Sequence, residues 1–167
     1  TSLGFNKVSE LKLGVSTRIK EFVARGGFLF TMCSGTDSYD ISLAAHNTDI
    51  CASMFDGDAA DRQAQSKLDF SQTLAFKDFK LVTNPLQYEF SSIDGTSMRF
   101  KQRVPQNQDI FNLFEFSAKW DIVPTMLCQN HTALIKGFMG QTTSFTRDEI
   151  KSNVLVMGEN KTNGEAK

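Results

Sequence analysis

Residues 16–45 constrain this chain more than any other stretch. Ser16 or Thr17 can cap a helix whose apolar positions Ile19, Phe22 and Val23 recur at i, i+3, i+4 spacing. Arg25 falls in the last turn of that helix. Gly26-Gly27 ends it, because glycine enters the left-handed conformation of a helix C-terminus without a Cβ clash. Residues 28–32, Phe-Leu-Phe-Thr-Met, form a nearly continuous apolar run, the pattern of a strand buried on both faces. Cys33-Ser34-Gly35-Thr36-Asp37 is a small polar turn, after which Tyr39, Ile41, Leu43, Ala44 and Ala45 predict a second helix. Helix, buried strand, turn and helix in this order predict an α/β fold with a parallel sheet.

The rest of the chain reads differently. Residues 55–61 are an acidic loop, and short β-prone runs follow at 73–76, 79–82, 88–91, 111–116, 123–128, 133–139 and 153–157. Asn84-Pro85, Asp94-Gly95 and Pro105-Gln106-Asn107 punctuate them as turns. Residues 158–164 are polar and turn-like, so they read as a surface loop or a frayed end. The expectation is one α/β domain over residues 1–160, β-rich in its second half, with a polar tail at 161–167.

Charge and composition then remove whole classes of function. Eighteen Lys and Arg against nineteen Asp and Glu leave a net charge of -1. Phosphate neutralisation needs a clustered basic excess, so no nucleic-acid partner is expected. No apolar run reaches the 18 or so residues of a membrane span. The start of the chain has no basic segment followed by an apolar one, so no export signal is expected within these residues, an absence that carries little if the chain is a fragment. Fifteen of the aromatic residues are Phe, which supplies core volume without a polar handle. Cys33, Cys51 and Cys128 are odd in number and widely spaced, which argues against a disulfide framework.

Cys33 is the sharpest chemical candidate. It follows a predicted strand and precedes a predicted helix, where a turn exposes one side chain at the carboxyl end of a parallel sheet. The helix N-terminus favours a thiolate there. Gly35 lets backbone approach, so amides around Ser34 and Gly35 are candidate oxyanion donors. The competing reading is a small buried hydrophobe. His131, in the polar island Cys128-Gln129-Asn130-His131-Thr132, is the candidate base, against a structural or solvated histidine. His46, near a helix end, answers the helix dipole instead. Thr36, Asp37, Asn130 and Gln141 are candidate ligand contacts; Asp37 and Asp40 also suit a helix N-terminus whatever the function.

No metal or organic cofactor is expected. Cys128-x-x-His131 has no second ligand pair to complete a four-ligand zinc site. Counted as a calcium loop from Asp56, the fifth position is Ala60 and the twelfth is Lys67, so that reading fails, leaving a solvated turn with weak cation binding as the alternative. There is neither a Walker-type phosphate loop nor a dinucleotide fingerprint.

Residues 21–37 resemble the class I glutamine amidotransferase-like superfamily, the flavodoxin-like group that also holds ThuA-like domains. In both, a helix ending in Gly-Gly leads through a buried strand to a nucleophile elbow. Cys33 and Gly35 match the amidotransferase Gly-x-Cys-x-Gly, with Thr31 in place of its first glycine; Gly35-Thr36-Asp37 is similar to the ThuA-like Ala-Thr-Asp. A narrower bacterial group, often labelled asparagine synthetase B, shares segments like Phe55-Asp56-Gly57-Asp58, Phe116-Ser117-Ala118-Lys119-Trp120-Asp121, Gln129-Asn130-His131-Thr132 and Lys136-Gly137-Phe138-Met139-Gly140-Gln141.

The resemblance implies a Cys-dependent hydrolase or amidotransferase acting on a small polar amide or sugar-related ligand. A binding or structural module that kept the fold and lost the chemistry is the alternative. It also implies a longer parent domain, with earlier strands before residue 1 and a Gly-His-Asp histidine after residue 167. A second copy or those missing segments would then cover the sheet. Family members are exported in many cases, so the resemblance implies a periplasmic home, with the cytoplasm as the alternative.

Overall fold

The first helix, α1, spans Val8–Ala24. Its apolar stripe does not stop at Ile19: Val8, Leu11, Val15, Ile19 and Phe22 continue the same i, i+3/i+4 face toward the N-terminus. The Glu10 carboxylate accepts the otherwise orphan N–H groups of Asn6 and Lys7 at 3.2 and 3.4 Å. The helix therefore begins more than two turns before the expected cap. Ser16 is buried inside it and donates to Ser42 Oγ at 2.9 Å, while its carbonyl accepts the Tyr39 hydroxyl at 3.1 Å. Ser16 fastens α1 to the second helix rather than starting the first.

The C-terminus of α1 follows the sequence reading. Gly26 takes φ +91° and donates to Val23 O at 2.9 Å, and Gly27 donates to Phe22 O at 3.0 Å. This is a Schellman motif. Gly26 is required by conformation. Gly27 leaves room for the Phe22 ring, which a Cβ there would push aside toward solvent.

The computed structural model describes residues 4–84, 86–87, 90–95, 110–113, 133–136, 144–161 and 164–166. The chain resolves into two compact units, Thr1–Ile93 and Asp94–Lys167.

In the first unit, α1 packs against α2 (Gly35–Ala44). The segment between them corrects the sequence reading. Residues 28–32 form no strand, and Phe28, Phe30 and Met32 are 85%, 73% and 71% exposed. A strand needs a ladder partner for its backbone groups, and no segment among the described residues pairs with this one. The core forms on α2 instead, from Ile41, Leu43 and Ala44, with Ala64, Phe76, Phe79 and Ile93 also buried. The Phe70 and Phe79 rings meet edge to face at 5.0 Å.

Asp40 lies within the same interior, 2% exposed. It accepts the backbone N–H groups of Leu74, Ala75 and Phe76 at 2.8, 2.7 and 2.9 Å. A short helix α3 (Ser53–Asp56) closes at Gly57, φ +87°. The 3-10 turn Ala64–Lys67 offers Gln65 to the 79–82 run, bonding Phe79 O and Leu81 N. That run pairs antiparallel with the next, through Leu81 opposite Ser91 and Val82 N–H to Phe90 O at 2.8 Å.

The second unit holds a three-stranded antiparallel sheet in the order β2-β1-β3: β1 is Ile110–Leu113, β2 Leu134–Lys136 and β3 Gly158–Asn160. Phe111 stands opposite Ile135 on one side and Asn160 on the other. The chain thus mixes helix and strand, but the sheet among its described residues is not the parallel one expected. A parallel pair needs a crossover of a dozen or more residues, normally a helix. Between these strands the described residues supply only the 3-10 turn Arg147–Glu149.

Residues 158–160, expected as surface turn, form β3 with Gly158 and Asn160 buried. Ala166 is 2% exposed and exchanges both backbone bonds with Phe145. Residues 153–157, expected as a strand, are irregular with Leu155 83% exposed. No helix among the described residues is long and apolar enough to cross a membrane.

Candidate functional site

Cys33 stands at the junction between residues 28–32 and α2. It is exposed and has φ 55°, one of two non-glycine residues in the left-handed region among those described. A side chain with a Cβ pays on the order of 1 kcal/mol for that conformation. The turn is fastened on either side of it: Gly35 N–H bonds Met32 O at 3.1 Å and Thr36 N–H bonds Cys33 O at 3.0 Å. Ser34 is helical at φ -59°, ψ -16°, and α2 starts at Gly35.

The strained residue therefore sits where an extended approach turns sharply into a helix, with the sulfur on the surface. The Gly35 and Thr36 amides are spent on the turn. This corrects Gly35 as an oxyanion donor and leaves the Ser34 amide, the one directly after the cysteine. A Cβ on Gly35 would meet Thr31 only at ordinary contact distance, 3.9 Å, so its glycine is not a steric requirement of this turn.

The other expected residues are distributed as follows. Thr36 is half-buried in the first turn of α2, and Asp37 is 3% exposed, turned into the protein. His46 follows the far end of α2, two residues past Ala44. It faces Asp69 at 3.9 Å. His131, Asn130 and Gln141 lie outside the described residues, as do Cys128 and Trp120.

A second cluster was not legible as such. Asp49, Asp56 and Asp58 bring their carboxylates within 4.8 Å of one another, the arrangement a cation could bridge. Lys7 answers them: its ammonium bonds Asp58 and lies 3.7 Å from Asp49. The Asp58 contact raises the Lys7 pKa and lowers that of Asp58. Asp49 also accepts from Ser9 Oγ at 3.0 Å and from the Cys51 N–H at 2.9 Å.

Cys51 lies beside this group. Burial first, then the neighbouring Asp56, push its thiol up to about 11, so it stays protonated and inert at neutral pH. Nearby, Lys67, then the Gln63 amide and the Thr48 hydroxyl, hold Asp61 down to about 2. Asp56 and Asp58 were visible as an acidic loop, but Asp49 and Lys7 reach the cluster only through the packing of α1.

Between α1 and α2 opens a cleft of about 540 Å³. Val8, Leu13, Ile41, Ala45, Phe55 and Leu81 give it apolar walls, and Lys12 is the one charged residue among the described residues of its lining. Cys33 is not part of it.

No family model, curated protein or solved structure matches this chain.

Proposed function

We propose that the chain is a glutamine amidotransferase-like domain of flavodoxin-like fold, in which Cys33 is the nucleophile of a hydrolase or amidotransferase acting on a small polar amide. The observation that carries this reading is the exposed, left-handed Cys33 between an apolar approach segment and the start of α2. Strain held at a reactive side chain is the mark of a nucleophile elbow.

The chemistry follows from the residue types. The Cys33 thiolate attacks the amide carbonyl, and the Ser34 N–H receives the developing oxyanion. His131 takes the thiol proton and returns it to the departing nitrogen. The C–N bond breaks, ammonia leaves, and water cleaves the resulting thioester to a carboxylate and the free thiol. Thr36, Asp37, Asn130 and Gln141 are the ligand contacts in this reading, with Asp37 buried in the first turn of α2.

A diazoketone analogue of glutamine tests this, with the adduct located by peptide mass spectrometry. One adduct per chain on the Cys33 peptide, absent in Cys33→Ala, is the expected result. No adduct, or equal labelling of Cys33 and Cys51, overturns the reading. A second reading, a ligand-binding module without catalysis, is favoured by the α1–α2 cleft, which does not include Cys33.

A further inference from the structure

We propose that the α1–α2 cleft binds an amphipathic carboxylate: an apolar chain or ring system buried between the helices, with its carboxylate paired to Lys12. The cleft's volume, about 540 Å³, lies within the about 300–1,000 Å³ of small-ligand sites, and its walls are predominantly aliphatic and aromatic. The sign of the head group comes from the lysines. Lys7, Lys12 and Lys20 all lie at or on α1. Lys7 is taken up by Asp58 and Asp49, and Lys20 donates to the Gln72 carbonyl and side chain at 2.8 and 3.1 Å. Lys12 makes no hydrogen bond or ion pair among the described residues, and it is the lysine that lines the cleft.

Of the nearby carboxylates, Asp49 and Asp58 hold Lys7 and Asp61 holds Lys67, while Asp56 keeps one buried oxygen without a hydrogen-bond partner; none of the four pairs with Lys12. Cys51, the sulfur on the cleft wall, is held neutral by burial and then by Asp56, Asp49 and Asp58, and with Ile50, Ala52 and Phe55 beside it that end of the cleft receives the apolar tail. A charge-assisted bond at the exposed ammonium and burial of the tail supply affinity of different origin, which makes them separable.

The test is calorimetric titration of the full chain with decanoate, 1-decanol and decyltrimethylammonium. Saturable 1:1 decanoate binding is expected, at least tenfold tighter than decanol. Lys12→Met should lose that tenfold and leave decanol unaffected, and Lys12→Arg should retain it. Ala52→Trp, which fills the cleft from its rim, should weaken both ligands while circular dichroism stays that of the parent. Cys33→Ala should change neither, which keeps this result independent of the elbow chemistry. Absence of saturable binding, equal affinity of Lys12→Met for decanoate, or preference for decyltrimethylammonium overturns the proposal. The last result would assign the head group to Asp49, Asp56 and Asp58.

Discussion

Removing the Asp40 carboxylate should destabilise the first unit more than any exposed substitution. Asp40 is 2% exposed, its Oδ1 accepts from Leu74 N–H, and its Oδ2 accepts from both Ala75 and Phe76. Each bond to a charged acceptor is worth about 1.5–3 kcal/mol. Their plain sum overstates the effect, because burying the carboxylate costs part of it. Removing the acceptor leaves three amide donors unsatisfied, at about 1–3 kcal/mol for each that water cannot reach, so about 3–5 kcal/mol in all is the expectation for Asp40→Ala.

Asp40→Asn should cost about 2 kcal/mol: its amide oxygen keeps at most two neutral bonds, and its NH₂ confronts the third donor. Urea unfolding followed by far-UV circular dichroism reads the midpoint shift, and hydrogen exchange reads the cause. The amides of residues 74–76 should lose protection in both variants. A loss below 1 kcal/mol in Asp40→Ala with unchanged protection at 74–76 would refute the reasoning, because those three donors would then be satisfied elsewhere.

Three further outcomes follow from the same structure. Iodoacetamide labelling of Cys51, followed by peptide mass spectrometry, should reach half its maximal rate near pH 11, whereas Cys33 labels from the exposed surface; a Cys51 midpoint near 9 contradicts the burial argument. Because the folded Cys51 keeps its proton to about pH 11 while an unfolded thiol releases it near 9, stability should fall as pH rises through that window, and Cys51→Ala should flatten the decline seen in denaturant titrations. Gly26→Ala should cost about 1 kcal/mol through the positive φ of the helix C-cap, read as a lowered urea midpoint. Lys67→Met should return the Asp61 carboxyl from about 2 toward its ordinary 3.8 in an NMR titration; the pair's contribution is present above that ordinary value and lost as pH falls toward 2.

What could be read beforehand was local, and what could not was set by long-range pairing. Gly26-Gly27 announced the end of α1 because the signal, a positive φ and a crowded ring, lies within six residues. The start of α1 was missed because Ser16 resembles a cap by type, although it is buried by α2 through Ser42 and Tyr39. Residues 28–32 carry the composition of a buried strand, but composition cannot supply a partner. The antiparallel sheet escaped for a related reason: β3 is the polar triplet Gly158-Glu159-Asn160, recruited by its pairing with β1 rather than by propensity. Asp40 was visible as a helical carboxylate, and its spacing from Asp37, Ile41 and Ala44 on one helical face was the available sign that it points inward.

One helix, α2, joins the Cys33 turn, the Asp40 interior and the cleft. The N-terminus of α2 presents Cys33, its middle buries Asp40 against residues 74–76, and Ser38, Ile41 and Ser42 face the cleft. A substitution at Asp40 should therefore disturb both the elbow and the cleft, whereas Cys33→Ala and Lys12→Met should each touch one. That pattern separates chemistry from scaffold without knowledge of the natural ligand. If Asp40→Asn slows labelling of Cys33 and weakens decanoate binding together, α2 is a shared positioning element. If it alters stability alone, the elbow geometry is held locally by the Met32–Gly35 and Cys33–Thr36 backbone bonds, which no side-chain substitution removes.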